Sequence, residues 1–264
     1  NISSNAEVRL KGIHADHWSD PEKWSLKIKI NNDSKSILGL RRFAIQPPET
    51  LSYLYEWLFM KALEKEKLIN LKVNFLNGVI NGNNLGAYIL QEQISDELFI
   101  NNNRKEGPVI GFSSDLWVKE ANNHKILHAN GMEDSFFRSK INATQFKKNK
   151  IGTKQEDYLR EAIYLLESFR NKTLPLNQIF DTDQLAKVMS LRAAIGASEF
   201  DWMDTKFYYN PETKLLEPIS REAHVSLGFE DRVNVWWLDS INIKPYFNSK
   251  TNYFLDILYS DIIF

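Results

Sequence analysis

The stretch DWMDTKFYYNPETKLLEPISREAH, residues 201–224, places charged residues on both sides of a short hairpin pattern. Asp201 and Asp204 precede the apolar run KFYY, whereas Arg221 and Glu222 follow the second apolar run. The intervening NPET is typical of a turn, so the two ends of this stretch should lie side by side. A hairpin by itself requires no acids there, but carboxylates bind Mg²⁺ and arginine binds phosphate. The pattern therefore predicts a metal–phosphate site at the open end of the hairpin.

Other residues capable of chemistry form weaker patterns. His14 and His17, with Asp16 and Asp20, have a spacing that permits a metal site, but we interpret them as an exposed polar loop. The chain has no cysteine, which excludes disulfides, zinc–thiolate sites and cysteine nucleophiles. The sequence also lacks the nucleophile elbow of many Ser-His-Asp hydrolases.

The composition is that of an ordinary globular protein. The chain has 264 residues, 43% hydrophobic and 25% charged, which suits one large domain or two lobes around a cleft. A net charge of −1 argues against a nucleic-acid partner, and no run of 18 apolar residues predicts membrane insertion. Because a strand pattern begins by residue 6 and the chain stops on the apolar LDILYSDIIF, we expect both ends to continue in a longer protein.

Alternating patterns predict a β-rich N-terminal part. EVRLKGI, WSLKIKI and LGLRRFAIQPP are typical of strands, and LKVNFLNGVI and LGAYILQEQI are typical of a hairpin around NGNN. Between these strands, apolar residues at helical spacing from Leu51 to Leu63 predict one amphipathic helix of about four turns.

After about residue 100 the pattern changes. The segment up to about residue 150 is polar and irregular, which is typical of a connector or insertion. QEDYLREAIYLLESFRN is amphipathic, while DTDQLAKVMSLRAAIGA is nearly apolar on all sides behind an Asp/Thr cap, so we expect a buried helix there. The predicted fold class is α+β, with an N-terminal lobe at 1–95, a connector at 96–153 and a mainly helical lobe at 154–264.

This order resembles a two-lobed protein-kinase-like fold, in which five or so strands with one inserted helix precede a helical lobe. The blocks VRLKG, KWSLKIKI, LGLRRFAIQ, EWLFMKAL, NGNNLGAYILQEQI, FDTDQLAKVMSL and KFYYNPETKLLEPI resemble, in that order, those of the spore-coat CotH kinase family. The resemblance runs from about residue 8 to 229 and marks the chain as a divergent member. It implies an atypical bacterial protein kinase that is secreted or associated with the cell surface.

The resemblance implies nucleotide-binding residues in the N-terminal lobe. A kinase needs one strand lysine as a fixed cation on the α- and β-phosphates, and Lys27, in mid-strand, is preferred over Lys23 and Lys29. Glu56 would form the ion pair that holds this lysine. The adenine edge would be met by main-chain groups around three consecutive residues: Gln91, Glu92 and Gln93.

The resemblance also assigns roles within the opening stretch. Asp201 corresponds to the catalytic base or hydroxyl-orienting group, and Asp204 is its substitute and a metal ligand. Arg221 would clamp a phosphate, and Glu222 would be a further metal ligand.

The same stretch departs from the family pattern at several positions. Thr205 and Lys206 stand where asparagine is typical, and Arg221-Glu222-x-His224 replaces Trp-Asp-x-Asp. Glutamate still binds Mg²⁺, but its extra methylene moves the carboxylate by roughly 1.5 Å. The charge of Lys206 could also occupy the space of one metal ion. Catalysis is therefore either altered or lost.

Three functions follow from the resemblance. The first is phosphoryl transfer to serine or threonine of a protein partner, dependent on ATP and on Mg²⁺ or Mn²⁺. The alternative is a catalytically impaired kinase-fold module that serves as a scaffold for surface or coat assembly. The third is transfer of phosphate or nucleotide to a small molecule or polysaccharide. The family implies an extracytoplasmic or cell-surface location.

Overall fold

The computed structural model describes residues 3–12, 15–31, 35–116, 118–119, 133–144, 148–197 and 202–223. Within these residues the chain forms two antiparallel sheets and five α-helices, so the predicted α+β class is confirmed. The chain divides into two compact units. The first unit holds the described residues up to Arg104 together with 221–223, and the second holds those from Lys105 to Ser220.

The first unit contains a five-stranded sheet in the order β1-β2-β3-β5-β4, in which every pair is antiparallel. Its strands are β1 (Ala6–Leu10), β2 (Leu26–Ile30), β3 (Arg42–Gln46), β4 (Val73–Ile80) and β5 (Asn83–Glu92). Helix α1 (Tyr55–Lys65) lies between β3 and β4 in the chain, and the short α2 (Asp96–Asn101) follows β5.

The predicted hairpin around NGNN is confirmed, because β4 and β5 pair across it. Its turn residues Asn81 and Gly82 both have positive φ, 52° and 84°. Two left-handed residues in succession give the two-residue turn whose twist matches that of the flanking strands, and Asn-Gly is the sequence that adopts it most readily.

The two faces of this sheet differ in character. A buried apolar cluster forms on one of them: Ile30, Leu40, Phe43 and Leu90. Residues that lie opposite one another in successive strands point to the same face. The other face therefore carries a row across four strands in which every residue but Ala44 is polar: Arg9, Lys27, Ala44 and Gln91.

The single helix predicted from Leu51 to Leu63 is interrupted in the structure. A 3₁₀ turn spans Pro48–Leu51, Ser52 and Tyr53 adopt left-handed φ values of 50° and 61°, and α1 begins only at Tyr55. The start was mispredicted because apolar spacing continues through the break, while the two left-handed residues change the direction of the chain.

The second unit contains a four-stranded sheet in the order β7-β6-β8-β9. Its strands are β6 (Val109–Phe112), β7 (Ile141–Thr144), β8 (Lys206–Tyr209) and β9 (Leu216–Ile219). Its helices are α3 (Glu133–Arg138), α4 (Lys154–Arg170) and α5 (Thr182–Ile195). The hairpin predicted around NPET is confirmed, because β8 and β9 pair in antiparallel register from Lys206↔Ile219 to Tyr209↔Leu216.

Two strands, β6 and β7, lie in the segment for which the sequence predicts an irregular connector or insertion. β6 is buried at all four positions and pairs with both β7 and β8. It was missed because four apolar residues that include a glycine, Gly111, give too short a run to separate a core strand from a loop.

The expectation of a buried helix at α5 was wrong. Asp181 caps the helix as predicted, since its carboxylate accepts a bond from the Gln184 N–H at 3.1 Å. However, α5 buries only Leu185, Val188 and Arg192. Its exposed face includes several alanines. Exposure of such a small apolar side chain to water costs little free energy, so the apolar composition of this helix predicted more burial than the structure has.

No helix among the described residues is both long and apolar enough to cross a membrane.

Gly12, two residues after the end of β1, is packed against His17. Its φ is 87°, and a Cβ at this position would lie 2.0 Å from the His17 Cδ2 atom. Gly82 has a similar φ of 84°, but a Cβ at Gly82 would have no other atom within 4 Å. We expect Gly82→Ala to lower the free energy of unfolding by about 1 kcal/mol, the conformational cost of a left-handed alanine. Gly12→Ala should lower it by about 1–3 kcal/mol more, because the imidazole must move.

Urea unfolding of both variants measures this difference. Equal losses for Gly12→Ala and Gly82→Ala would contradict the packing of His17 on Gly12.

Candidate functional site

A chain of hydrogen bonds links four buried polar side chains in the first unit. The Lys11 ammonium donates to Gln46 Oε1 at 2.8 Å, and Gln46 Nε2 donates to Gln91 Oε1 at 3.3 Å. Gln91 Nε2 in turn donates to Glu56 Oε1 at 2.8 Å. All four side chains are almost fully shielded from solvent. Since hydrogen bonds are stronger where water is excluded, this network fixes the orientation of each member.

Four secondary-structure elements bring these residues together. Lys11 follows β1, where its N–H bonds to the Ser25 carbonyl and continues the β1–β2 register. Gln46 and Gln91 are diagonal neighbours on the polar face, because Gln46 pairs with Ile89 and Ala44 with Gln91. Glu56 comes from the first turn of α1. The sheet thus supplies the lysine and both amides, and the helix supplies the carboxylate.

Glu56 also holds the segment that follows β9. Its Oε1 accepts the Glu222 N–H at 3.1 Å, and its Oε2 accepts the Ala223 N–H at 2.6 Å. Glu222 has a left-handed φ of 57°, and a left-handed residue allows successive N–H groups to converge on one anion. The Glu56 carboxylate therefore acts as the anion around which residues 222 and 223 turn.

Next to this network lies a group of basic side chains, here called the basic cluster: Arg9, Lys11, Lys27 and Arg221. Burial is the main cause that lowers the pKa of Lys27, and the nearby charges of Arg9 and Arg221 lower it further, whereas Glu222 raises it. Burial likewise lowers the pKa of Lys11 first, and Arg221 and Lys27 add to that effect, whereas Glu222 and Glu56 oppose it. Four cations thus share the charges of two carboxylates.

Lys27 is a half-buried member of the basic cluster. Among the described residues its ammonium makes no hydrogen bond and no ion pair. A half-buried ammonium close to two guanidinium groups has lost hydration, and the single Glu222 carboxylate that raises its pKa supplies only part of the counter-charge. An anion placed here would supply that missing charge.

The predicted ion pair between Lys27 and Glu56 does not form. Glu56 bonds instead to Gln91 and to two main-chain N–H groups, and the lysine whose pKa it raises is Lys11. The other two lysines that were considered lie away from the cluster: the Lys29 ammonium pairs with the Glu7 carboxylate at 2.9 Å, and the Lys23 ammonium lies 5.5 Å from the centre of the Tyr88 ring.

The segment predicted to meet adenine is largely engaged in the sheet. The N–H groups of Glu92 and Gln93 donate to the carbonyls of Lys72 and Arg42, at 2.8 and 3.1 Å. The buried Glu92 carboxylate accepts the Lys72 N–H and the Asn101 amide, both at 2.9 Å, and burial raises its pKa in spite of these bonds. Main-chain contacts of Glu92 and Gln93 with a base would therefore use their carbonyl oxygens, and the nucleotide-binding role of this segment stays a prediction.

Within the second unit, Asp204 lies in the turn that precedes β8. The Lys206 ammonium donates to the Met203 carbonyl in this turn at 2.7 Å and reaches the Phe112 carbonyl at 3.5 Å. Asp201 and His224 lie outside the described residues. The catalytic roles of Asp201 and Asp204 are therefore predictions.

The described residues fit a polyanion better than a metal ion. Among them, no three His, Asp or Glu side chains come together as a metal site. The basic cluster, in contrast, offers two guanidinium and two ammonium groups, which are the donors that bind phosphate. The metal-binding roles of Glu222 and Asp204 therefore also stay predictions.

The sequence patterns predict Lys27, Glu56 and Gln91 as site residues but not Lys11, Gln46 and Arg9. A weak signal existed, since a basic residue and an amide at strand positions on one face, Arg9 and Gln46, are unusual beside so many apolar residues. Lys11 lies within the quoted VRLKG block, and Gln46 ends the block LGLRRFAIQ.

Comparison with known proteins adds no further assignment. No protein-family model matches the chain, and no curated protein matches it.

Proposed function

We propose that the basic cluster binds the phosphates of ATP and that the chain transfers the γ-phosphoryl group to serine or threonine of a protein partner, as a divergent CotH-like atypical kinase. The observation that carries this proposal is the half-buried Lys27 ammonium, which has two guanidinium neighbours and no ion pair among the described residues. Adjacent like charges destabilise a folded sheet unless an anion compensates them. A triphosphate has the charge and the oxygen acceptors to do so.

Each member of the basic cluster then has a distinct task. Arg221 binds phosphate oxygens through pairs of N–H groups, Lys27 provides a point charge, and Arg9, exposed on the outer strand, adds positive charge at longer range. Lys11, bonded to Gln46, supplies a fixed positive charge behind them. ATP supplies the phosphoryl group when bound. By resemblance, Asp201 orients the acceptor hydroxyl, and Asp204 and Glu222 would bind Mg²⁺ or Mn²⁺.

A specific observation favours the second candidate, a catalytically impaired scaffold at an extracytoplasmic surface. The Lys206 ammonium is bonded to the carbonyl of Met203, the residue before Asp204. A fixed positive charge at this turn opposes the binding of a metal ion at Asp204. The same nucleotide could then bind without being turned over, and binding would order the protein for assembly with its partner.

The test measures binding and transfer separately. Calorimetric titration with ATP, alone and with Mg²⁺ or Mn²⁺, should show saturable binding. Thermal unfolding in the presence of the same ligands should show a rise in the melting temperature. Incubation with γ-labelled ATP and a mixture of Ser/Thr peptides should then label the peptides. Asp201→Asn should abolish labelling and leave ATP affinity unchanged, because orientation of a hydroxyl matters only to the chemical step.

The outcomes separate the two candidates. Binding without transfer, in wild type and Asp201→Asn alike, would support the scaffold and refute the kinase. Absence of binding with either metal and without metal would refute the kinase and the phosphate-binding role of the basic cluster, and it would favour a scaffold that needs no nucleotide.

A further inference from the structure

Strand β1 is an outer strand of the first unit's sheet and is exposed along its whole length. It pairs only with β2 among the described strands, and all five of its residues are exposed. Val8 and Leu10 are 57% and 58% exposed, which is high for apolar residues of a strand. Such an edge is a template for pairing with another strand.

The backbone register shows which groups of β1 point outward. Asn31 donates its N–H to the Asn5 carbonyl, and Lys11 donates its N–H to the Ser25 carbonyl. These residues belong to the same register as Ala6↔Ile30, and bonded positions alternate along an antiparallel pair. Residues 5, 7, 9 and 11 therefore bond towards β2, and the main-chain groups of residues 6, 8 and 10 point away from it.

The sequence of β1, Ala-Glu-Val-Arg-Leu, is complementary to itself in antiparallel orientation. When two copies are centred on Val8, Glu7 of one lies opposite Arg9 of the other, and Ala6 lies opposite Leu10. The outward-pointing positions then fall on the hydrogen-bonded pairs. Glu7 and Arg9 fall on the non-bonded pairs, where side chains approach most closely. The charge complementarity of the side chains and the outward main-chain groups therefore favour the same register for two paired copies of β1.

We propose that a second copy of this chain pairs with β1 across a two-fold axis at Val8, which joins the two five-stranded sheets into one. Val8 packs against Val8 of the partner subunit, and Leu10 packs beside Ala6 of the partner subunit. These contacts lie on the face of the sheet that also carries the Ile28 side chain, because Val8 lies opposite Ile28. The Glu7 carboxylate pairs with Lys29 within its own sheet at 2.9 Å, and its other oxygen is available to the second copy.

The interface is small, so we expect a concentration-dependent dimer rather than a permanent one. Sedimentation equilibrium of the full chain over a wide concentration range should show a monomer–dimer equilibrium. Glu7→Arg should weaken dimerisation by about tenfold or more, because the symmetry replaces two attractive pairs with two repulsive ones. Arg9→Glu should weaken it similarly, and the double variant Glu7→Arg/Arg9→Glu should restore the wild-type dissociation constant.

Three further variants separate the effect of the charge pairs and of the strand pairing from an effect on folding. Lys29→Gln removes the internal partner of Glu7 and should leave the dimer unchanged. Val8→Pro removes an outward N–H, which an edge strand tolerates, and should abolish the dimer, whereas Val8→Ala keeps that N–H and should weaken the dimer only slightly. Circular dichroism and thermal unfolding report whether each variant folds.

A chain that stays monomeric at every concentration would overturn the proposal. A wild-type dimer that neither charge reversal weakens, or that the double variant fails to restore, would place the interface elsewhere and overturn it as well.

Discussion

Replacing Glu56 by glutamine should lower the free energy of unfolding by about 2–4 kcal/mol, the cost of disrupting a buried hydrogen-bonded charge. The carboxylate accepts bonds from the Gln91 amide and from the N–H groups of Glu222 and Ala223. A glutamine offers one oxygen, and its own NH₂ would face one of these three donors. Because Glu56 is fully buried, no water can replace the lost acceptor.

Urea unfolding measures the loss, and Glu64→Gln on the same helix is the matched control. The Glu64 carboxylate pairs with Lys61 at 2.7 Å, but its side chain is 58% exposed. Removing one charge of a solvated pair should change stability by less than about 0.5 kcal/mol. If the two glutamine variants were equally stable, Glu56 would not anchor residues 222 and 223 as described.

Local sequence signals were sufficient for much of the first unit's fold. Period-two alternation identified the strands that became β1 to β5, and Asn81-Gly82 identified the hairpin between the last two, since both residues favour left-handed φ. The same signals failed at β6, where four buried residues are too few to show a period, and at α5, where exposed alanines resemble a buried face. Both failures concern burial, which depends on neighbours that are distant in sequence.

The site was harder to predict than the fold. The sequence predicted that Lys27, Glu56 and Gln91 belong to a site. Their hydrogen-bond partners, however, depend on strand register and on the position of α1. The bonds from Lys11 to Gln46 and from Gln91 to Glu56 each connect residues 35 positions apart. No local pattern specifies such contacts, because a shift of one residue in register would turn every side chain to the opposite face. The resemblance suggested an ion pair between Lys27 and Glu56, whereas Glu56 bonds to the Gln91 amide and to two main-chain N–H groups.

Among substitutions in the basic cluster, reversal of the charge of Lys27 should lower the affinity for ATP the most. We expect Lys27→Glu to weaken ATP binding by about a hundredfold, since it removes one charge-assisted contact and adds repulsion. Lys29→Glu is the matched control two residues along the same strand. Lys29 is exposed and already pairs with Glu7, so its reversal should weaken ATP binding by less than about threefold. Calorimetric titration of both variants at one salt concentration measures the difference.

The pH dependence of ATP binding gives an independent test of Lys27. Burial lowers its pKa, so the free protein loses this charge at a lower pH than an exposed lysine does. A bound phosphate favours the charged form and raises the pKa again. ATP affinity should therefore fall as pH rises through the lowered pKa of Lys27, and binding in that range should take up protons. Lys27→Arg, which stays charged, should flatten this part of the profile.

Two outcomes would remove Lys27 from the phosphate site. One is a pH profile of ATP affinity that is identical in wild type and Lys27→Arg, and the other is an equal loss of ATP affinity in Lys27→Glu and Lys29→Glu.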